Sequence, residues 1–129
     1  MKIAINGFGR IGKNIARHLI ANNYLSAHGG DLELVAINDL GSIESNAHLL
    51  KFDSLHGQIP NNISSDPNEI LVDESSIKYF SQRDPLDLPW SDLDIDIVFE
   101  CTGIFTDRDS AQKHLDAGAK KVLISAPAQ

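Results

Sequence analysis

The first twelve residues constrain this chain more than any other stretch. Residues 2–6 (KIAIN) have the apolar character of a buried strand, and they lead directly into GFGRIG at residues 7–12 and a helix-like segment from Lys13 to Ala21. Strand, glycine turn and helix in this order are typical of the opening of a dinucleotide-binding unit. The first glycine allows the tight turn, the second lets a pyrophosphate approach the backbone, and the third lets the helix pack close to the strand. The free N–H groups and positive dipole end of the helix would hold the phosphates.

An acidic residue follows the second predicted strand. Residues 32–37 (LELVAI) indicate a strand with at least one buried face, and Asn38 and Asp39 come directly after it. Asp39 is the candidate for hydrogen bonds to a ribose, although it lies 27 residues after Gly12, which is more than the usual spacing of about 20. The extra residues fall in the loop-like segment 22–30. The alternative interpretation of Asp39 is a turn aspartate that bonds its own backbone.

The charge of Asp39 indicates which dinucleotide is bound. A carboxylate about 4 Å from a 2′-phosphate repels it by up to about 4 kcal/mol per unit charge at an effective dielectric constant of 20. About 1.4 kcal/mol already corresponds to a tenfold change in affinity. The sequence therefore favours NAD over NADP.

Several motifs resemble those of the glyceraldehyde-3-phosphate dehydrogenase family. Two of them are the opening residues 3–12 and the strand VAIND at residues 35–39. The others are AHLLKFDSLHG at 47–57, RDP at 83–85 with LPW at 88–90, FECTGIFT at 99–106 and AGAKKVLISAPA at 117–128. Because these motifs occur in the family's order, the resemblance is far more specific than the glycine turn alone. It implies that residues 1–129 form an NAD-binding Rossmann domain of a glycolytic oxidoreductase.

The resemblance also implies which residues surround the cofactor. Arg10 and Ile11 would contact the pyrophosphate, Asp39 the adenosine ribose and Arg83 the adenine side. From the residues alone, Arg83 fits a solvated surface position equally well. The nicotinamide half would meet Thr102, Gly103, Phe105 and Ser125. The complete predicted set is Asn6, Gly7, Phe8, Gly9, Arg10, Ile11, Gly12, Asn38, Asp39, Arg83, Cys101, Thr102, Gly103, Phe105 and Ser125.

The catalytic motifs of the family are not found in this sequence. In the family, the nucleophilic cysteine lies in a Ser-x-x-Ser-Cys-Thr-Thr-Asn-like run at the head of a helix, and a later histidine activates it. The resemblance therefore implies a domain that binds NAD without oxidising an aldehyde by itself, the substrate domain being absent. Three alternatives stay open: an enzyme completed by a second chain, a regulatory nucleotide-binding module, and an erythrose-4-phosphate dehydrogenase-like domain. Asp39 and residues 104–106 (IFT) look more like the glyceraldehyde-3-phosphate branch.

The single cysteine is not predicted to be a nucleophile. Cys101 follows the apolar strand predicted at residues 95–99, whereas an activated thiol needs a base or a helix N-terminus that lowers its pKa. We expect a small residue beside the cofactor. The five histidines have no metal-ligand spacing supported by a carboxylate or thiol. They are assigned surface or packing roles, and we predict no metal.

Charge and composition indicate the class of partner. The net charge of −7 argues against nucleic acid and anionic membranes as partners, because both are bound through clustered lysine and arginine. One cysteine fits a reducing compartment, and without a signal peptide or a long apolar run we expect a cytoplasmic protein. The resembling family forms homotetramers in which further strands and subunits cover the cofactor sheet. The predicted strand at residues 121–125 would then be an exposed edge through which this chain self-associates.

The remaining pattern predicts an α/β fold. Ser42 caps a helix from Ile43 to about Lys51, and short antiparallel strands are expected at residues 70–72 and 77–80. A turn-rich segment follows, then the strand at 95–99 and a helix capped by Thr106 that ends near Asp116. Strands that alternate with helices form a doubly wound, mostly parallel sheet of Rossmann type with right-handed crossovers. The middle of the chain makes a short antiparallel excursion from it.

Overall fold

The structure of the chain is a computed structural model that describes residues 1–21, 31–53, 57–58, 61–73, 75–102 and 108–124. The described helices are α1 (Arg10–Ala21), α2 (Ile43–Lys51) and α3 (Arg108–Asp116), with a 3-10 helix at Pro85–Asp87. The described strands are β1 (Lys2–Asn6), β2 (Glu33–Asn38), β3 (Phe52–Asp53), β4 (Gly57–Gln58), β5 (Ile63–Ser65), β6 (Glu69–Val72), β7 (Ser75–Phe80), β8 (Ile97–Glu100) and β9 (Lys121–Ile124).

Seven of these strands form one sheet in the order β5-β6-β7-β2-β1-β8-β9, and β3 pairs with β4 separately. The pairs β1–β2, β1–β8, β2–β7 and β8–β9 are parallel, whereas β5–β6 and β6–β7 are antiparallel. The predicted Rossmann-type α/β fold with an antiparallel excursion is therefore confirmed. The excursion returns to the main sheet through β7, where Tyr79 lies opposite Ile37 of β2.

One face of the sheet packs against α1 and α2. Alternate residues of β1, Ile3 and Ile5, point to this face because successive side chains of a strand lie on opposite sides. They pack with Leu19 and Ile20 of α1 and with Leu50 of α2, all buried. Each fully buried aliphatic side chain of this kind contributes about 1.5–3 kcal/mol, so this apolar contact fixes both helices on the sheet.

The opposite face has a second core built around Trp90. Ala4 of β1 and Val98 of β8 are buried on this face against the fully buried Trp90. Trp90 meets the Phe80 ring edge-on, with centroids 6.3 Å apart, and lies beside the His114 ring of α3, with centroids 6.4 Å apart and ring planes 26° from parallel. Helices therefore cover both faces of the sheet, as a doubly wound fold requires.

Hydrogen bonds at the caps account for where two helices begin. The sequence predicts that α1 begins at Lys13, but it begins at Arg10, because the Lys13 N–H already donates to the carbonyl oxygen of Gly9 at 3.0 Å. α2 begins as predicted after Ser42, whose hydroxyl accepts from the N–H of Ser45 at 3.1 Å. No helix among the described residues is long and apolar enough to cross a membrane.

Other boundaries differ from the sequence predictions. β8 begins at Ile97 rather than Ile95, because the Ile95 N–H donates back to the carbonyl of Trp90. The strand β5 and the β3–β4 pair were not predicted, since their segments are short and interrupted by turn residues. The predicted α3 cap, Thr106, and the end of the last predicted strand, Ser125, lie outside the described residues.

Candidate cofactor site

A cavity of about 460 Å³ lies at the carboxyl edge of the sheet, where β1, β2 and β8 end. Ligands of open α/β sheets bind at this edge. Backbone hydrogen bonds hold together the segments that follow the strands. The Gly7 N–H donates to the carbonyl oxygen of Asn38 at 2.8 Å, and the Cys101 N–H donates to the carbonyl oxygen of Asn6 at 2.7 Å. The cavity is lined by Asn6, Gly7, Gly9, Asn38, Asp39, Leu40, Gly41, Gln82, Arg83, Cys101 and Thr102.

The glycine turn between β1 and α1 needs two of its glycines for steric reasons. Gly7 has a φ of +92°, and a Cβ on it would lie 2.7 Å from the backbone nitrogen of Thr102. A Cβ on Gly12 would lie 2.2 Å from the carbonyl oxygen of Gly7, so the first turn of α1 contacts the strand exit directly. A Cβ on Gly9 would meet no atom within 4 Å. The turn therefore presents an open backbone surface to the cavity at Gly9.

Asp39 connects the glycine turn to the segment after β2. Its Oδ1 accepts from the N–H of Phe8 at 2.9 Å, while its Oδ2 accepts from the N–H of Gly41 at 3.0 Å and from Nδ2 of Asn46 at 2.9 Å. The bond to Gly41 is the local turn contact named as the alternative interpretation, so Asp39 both closes its own turn and lines the cavity. A carboxylate offers about four acceptor positions, and the described residues occupy three of these.

The surroundings of Asp39 keep it ionised. Partial burial by itself raises the pKa of the Asp39 carboxyl, but the three hydrogen bonds and the charge of Lys13 together outweigh burial, so the pKa lies below its ordinary value. Lys13 donates to the carbonyl of Phe8 and, at 3.0 Å, to Asn46 Oδ1. Burial lowers the pKa of Lys13, and the charge of Asp39 opposes this. The cavity wall therefore carries a fixed negative charge with acceptor capacity left over.

A second carboxylate, Glu100 at the end of β8, is only 1% exposed. Its Oε1 accepts from the N–H and the hydroxyl of Thr102 at 3.0 and 2.6 Å. Its Oε2 accepts from Nδ2 of Asn6 at 2.7 Å and lies 2.6 Å from Nε2 of His114. His114, assigned above to a surface or packing role, is fully buried in this network. Glu100 thus anchors two residues of the cavity wall from behind.

Residues 1–108 match the family model described as "Glyceraldehyde 3-phosphate dehydrogenase, NAD binding domain". The chain belongs to this family. NAD is therefore the cofactor of the domain, as the sequence predicted. Curated glyceraldehyde-3-phosphate dehydrogenases are similar in sequence to this chain along nearly all of its length. Those of Zymomonas mobilis and Xanthobacter flavus are 53% identical over 129 residues and 52% identical over 128 residues, which is 100% and 99% of this chain.

The plasmid-encoded glyceraldehyde-3-phosphate dehydrogenase of Cupriavidus necator is 48% identical over 127 residues, or 98% of this chain. In all three comparisons the match covers 37% of the relative. The chain therefore spans a little more than a third of the length of these dehydrogenases. What they share with it is the NAD-binding domain of an oxidoreductase.

The structure brings most of the predicted site residues to one cavity. Those that line it are Asn6, Gly7, Gly9, Asn38, Asp39, Arg83, Cys101 and Thr102. Those on the adjoining turn and first turn of α1 are Phe8, Arg10, Ile11 and Gly12. The Phe8 side chain is 1% exposed in the first core, and Ile11 lines a separate cavity of about 390 Å³ beside α1. Gly103, Phe105 and Ser125 lie outside the described residues.

Three lining residues were missed: Leu40, Gly41 and Gln82. Leu40 and Gly41 directly follow Asp39, so their position after a strand end was a usable signal. Gln82 had no such signal, because it reaches the cavity only through the parallel pairing of β7 with β2. Asn38 then holds Gln82 in place, accepting from its N–H at 2.8 Å and donating to its carbonyl at 2.9 Å.

Proposed function

We propose that NAD lies across the carboxyl edge of the sheet and that Asp39 accepts a hydrogen bond from the adenosine ribose. The observation that carries this proposal is the position of Asp39, whose ionised carboxylate lines the cavity and also receives the Phe8 N–H of the glycine turn. The ribose hydroxyl would use the acceptor position that the described donors leave. A 2′-phosphate at the same place would face the charge of Asp39.

The pyrophosphate would lie at the glycine turn and the N-terminus of α1. The first turn of α1 contains no acidic residue, so the positive end of the helix dipole is available to an anion. Asn6, Gly7, Gly9 and Gly12 would shape the turn. Phe8 would hold the turn in place through its backbone N–H, which donates to Asp39. Arg10 and Ile11 would flank the phosphates.

The two ends of the cofactor would meet different segments. Arg83 would lie on the adenine side, beside Leu40 and Gly41 in the cavity wall. Cys101 and Thr102 follow β8 and would face the nicotinamide half. This half would also meet Gly103, Phe105 and Ser125.

The biochemical role that we infer is the coenzyme-binding part of an aldehyde-oxidising, NAD-dependent dehydrogenase of glycolysis in the cytoplasm. Oxidation through a thiohemiacetal requires an activated cysteine and a base. Cys101 lies after β8 rather than at the head of a helix, so residues 1–129 would bind the coenzyme and would not catalyse the oxidation by themselves. The partner implied is a substrate domain that carries these groups.

Calorimetric titration of the 129-residue chain with NAD and NADP tests the proposed site. We expect saturable NAD binding, with NADP and the Asp39→Ala variant each weaker by about tenfold or more. Asp96→Ala is the matched control, because Asp96 also accepts from a backbone N–H, that of Lys2 at 2.8 Å, but lies at the opposite edge of the sheet. No NAD binding by the folded chain, or equal losses in both variants, would contradict the proposal.

Self-association through β9 is a separate part of the proposal. β9 is one of the two outer strands of the described sheet, and its Leu123 and Ile124 are 49% and 36% exposed. Strands of this kind pair with other chains. Sedimentation at several concentrations should show oligomers that Leu123→Lys reduces, and a monomer at all concentrations would disprove association.

A further inference from the structure

A network of buried hydrogen bonds connects the cavity wall to His114 of α3 and to Trp90. Asn6, Asn38, Glu100 and His114 are each at most 4% exposed. They lie on the Trp90 face, behind the cavity that Asn6 and Asn38 also line. Unsatisfied buried polar groups are costly, so each donor in this network needs an acceptor. Fixing the direction of one hydrogen bond therefore fixes the direction of the next.

At one end of this network, a backbone N–H fixes the orientation of the Asn38 side-chain amide. The N–H of Gln82 can only donate, so the atom of Asn38 that it reaches at 2.8 Å must be the amide oxygen. Nδ2 of Asn38 then donates to Oδ1 of Asn6 at 2.7 Å. This in turn leaves Nδ2 of Asn6 to donate to Glu100.

At the other end of the network, the indole of Trp90 fixes the protonation of the His114 ring nitrogens. Its Nε1–H can only donate, and it lies 3.0 Å from Nδ1 of His114, so this ring nitrogen must accept. In the neutral imidazole the proton is then on Nε2, which donates to Oε2 of Glu100 at 2.6 Å. Trp90 therefore selects one tautomer of His114.

Both ends converge on the same acceptor. Four donors from the described residues reach the Glu100 carboxylate, two of them from Thr102 and one each from Asn6 and His114. Glutamine has the same shape but would place an NH₂ group against donors on either side. The network therefore requires the carboxylate and not merely a polar side chain.

We propose that Glu100 is a positioning residue for the cofactor: it does not line the cavity, but it orients Thr102 and Asn6, which do. This inference rests on the proposed function of the cavity. The amide of Glu100→Gln can turn its NH₂ toward the Thr102 hydroxyl, which can accept, but the Thr102 N–H then loses its acceptor. The loss falls on the segment proposed to meet the nicotinamide half, whereas the contacts of Asp39 are left intact.

The test compares NAD with AMP, which lacks the nicotinamide half, on Glu100→Gln and on the control Glu33→Gln, an exposed glutamate at the start of β2. We expect Glu100→Gln to weaken NAD about tenfold and to change AMP by less than about twofold. The control should bind both as the unaltered chain does. Unchanged NAD affinity in folded Glu100→Gln would overturn the inference while leaving the proposed function intact. No NAD binding by the unaltered chain would overturn both.

The unaltered chain offers a second readout, since Trp90 is its single tryptophan. In ¹H–¹⁵N NMR spectra, the one indole N–H should shift when NAD binds, because Thr102 connects to Trp90 through Glu100 and His114. AMP should leave this resonance nearly unchanged. If Glu100→Gln does not fold, this measurement decides, and an indole resonance that saturating NAD does not move would overturn the inference.

Discussion

Asp39 and Glu100 are carboxylates at the carboxyl ends of β2 and β8, the two strands that flank β1, yet they face different surroundings. Asp39 is half-buried and receives three hydrogen bonds from the described residues. Glu100 is 1% exposed and receives four. A carboxylate with spare acceptor capacity and solvent access suits a ligand, whereas a saturated and buried one organises the protein around it.

Removing each carboxylate should distinguish most clearly between the ligand-binding role of Asp39 and the structural role of Glu100. Glu100→Ala leaves buried donors without an acceptor and opens a cavity, so we expect it to lower the free energy of unfolding by about 3 kcal/mol or more. Asp39→Ala should cost less, about 1 kcal/mol, because Asp39 is only half-buried at the edge of the cavity and Gly41, one of the three donors that it leaves, is exposed. Urea unfolding measures both, with Glu33→Ala as the exposed control. Equal losses at the two positions would remove the distinction.

Exchanging acid and amide at residues 38 and 39 tests how burial affects the two adjacent positions at the end of β2. Asn38→Asp would set a carboxylate oxygen against Oδ1 of Asn6 and the carbonyl of Gln82, where Nδ2 now donates. We expect a loss of about 2 kcal/mol from this buried conflict. Asp39→Asn should cost less than about 1 kcal/mol, since residue 39 is only half-buried and borders the cavity. Urea unfolding at pH 7 that shows the larger loss of stability for Asp39→Asn would contradict the greater sensitivity of the buried position.

The pH dependence of stability should identify Asp39 specifically. Its pKa is lower in the folded chain than its ordinary value of about 3.9, so its contribution to stability is complete above about pH 4 and is lost as pH falls through the folded pKa. The difference in unfolding free energy between the unaltered chain and Asp39→Asn should therefore shrink between pH 4 and more acidic values. A difference that persists unchanged at pH 3 would contradict this assignment.

We expect the least change at the Lys120–Asp96 ion pair, which lies outside both sites. Lys120 donates to Asp96 at 2.9 Å, and the Lys120 side chain is 69% exposed. Exposed ion pairs contribute little because solvent screens them, so Lys120→Ala should melt within error of the unaltered chain. A clear drop in its melting temperature would show that charge pairing matters here independently of burial.

Local pattern was sufficient to find Asp39 but not Glu100. Asp39 follows an apolar run and stands downstream of a glycine turn, and both signals lie within one stretch of sequence. Glu100 also follows an apolar run, but its burial depends on α3, which carries His114, and on the turn that carries Trp90. A charged residue at a strand end is exposed in most settings, so sequence alone does not distinguish the two carboxylates.

The excursion shows the same limit. The antiparallel pairing of β6 and β7 follows from two short apolar segments with a turn between them. The parallel pairing of β7 with β2 joins segments separated by dozens of residues, and it brings Gln82 and Arg83 to the cavity. Family resemblance places Arg83 in the site, whereas no sequence signal places Gln82 there.

The order of strand, glycine turn and helix, the mostly parallel sheet, the family and its cofactor can all be predicted from the residues alone. These depend on residue spacing and backbone sterics within short segments. Three features became known only from the folded chain: Glu100 faces the interior, His114 accepts a hydrogen bond from Trp90, and Asn38 holds Gln82 in place. Those bonds join residues 14 to 44 positions apart, and with Asn6 and Glu100 the separation reaches 94. Their energies depend on desolvation, which exists only once the faces of the sheet are covered.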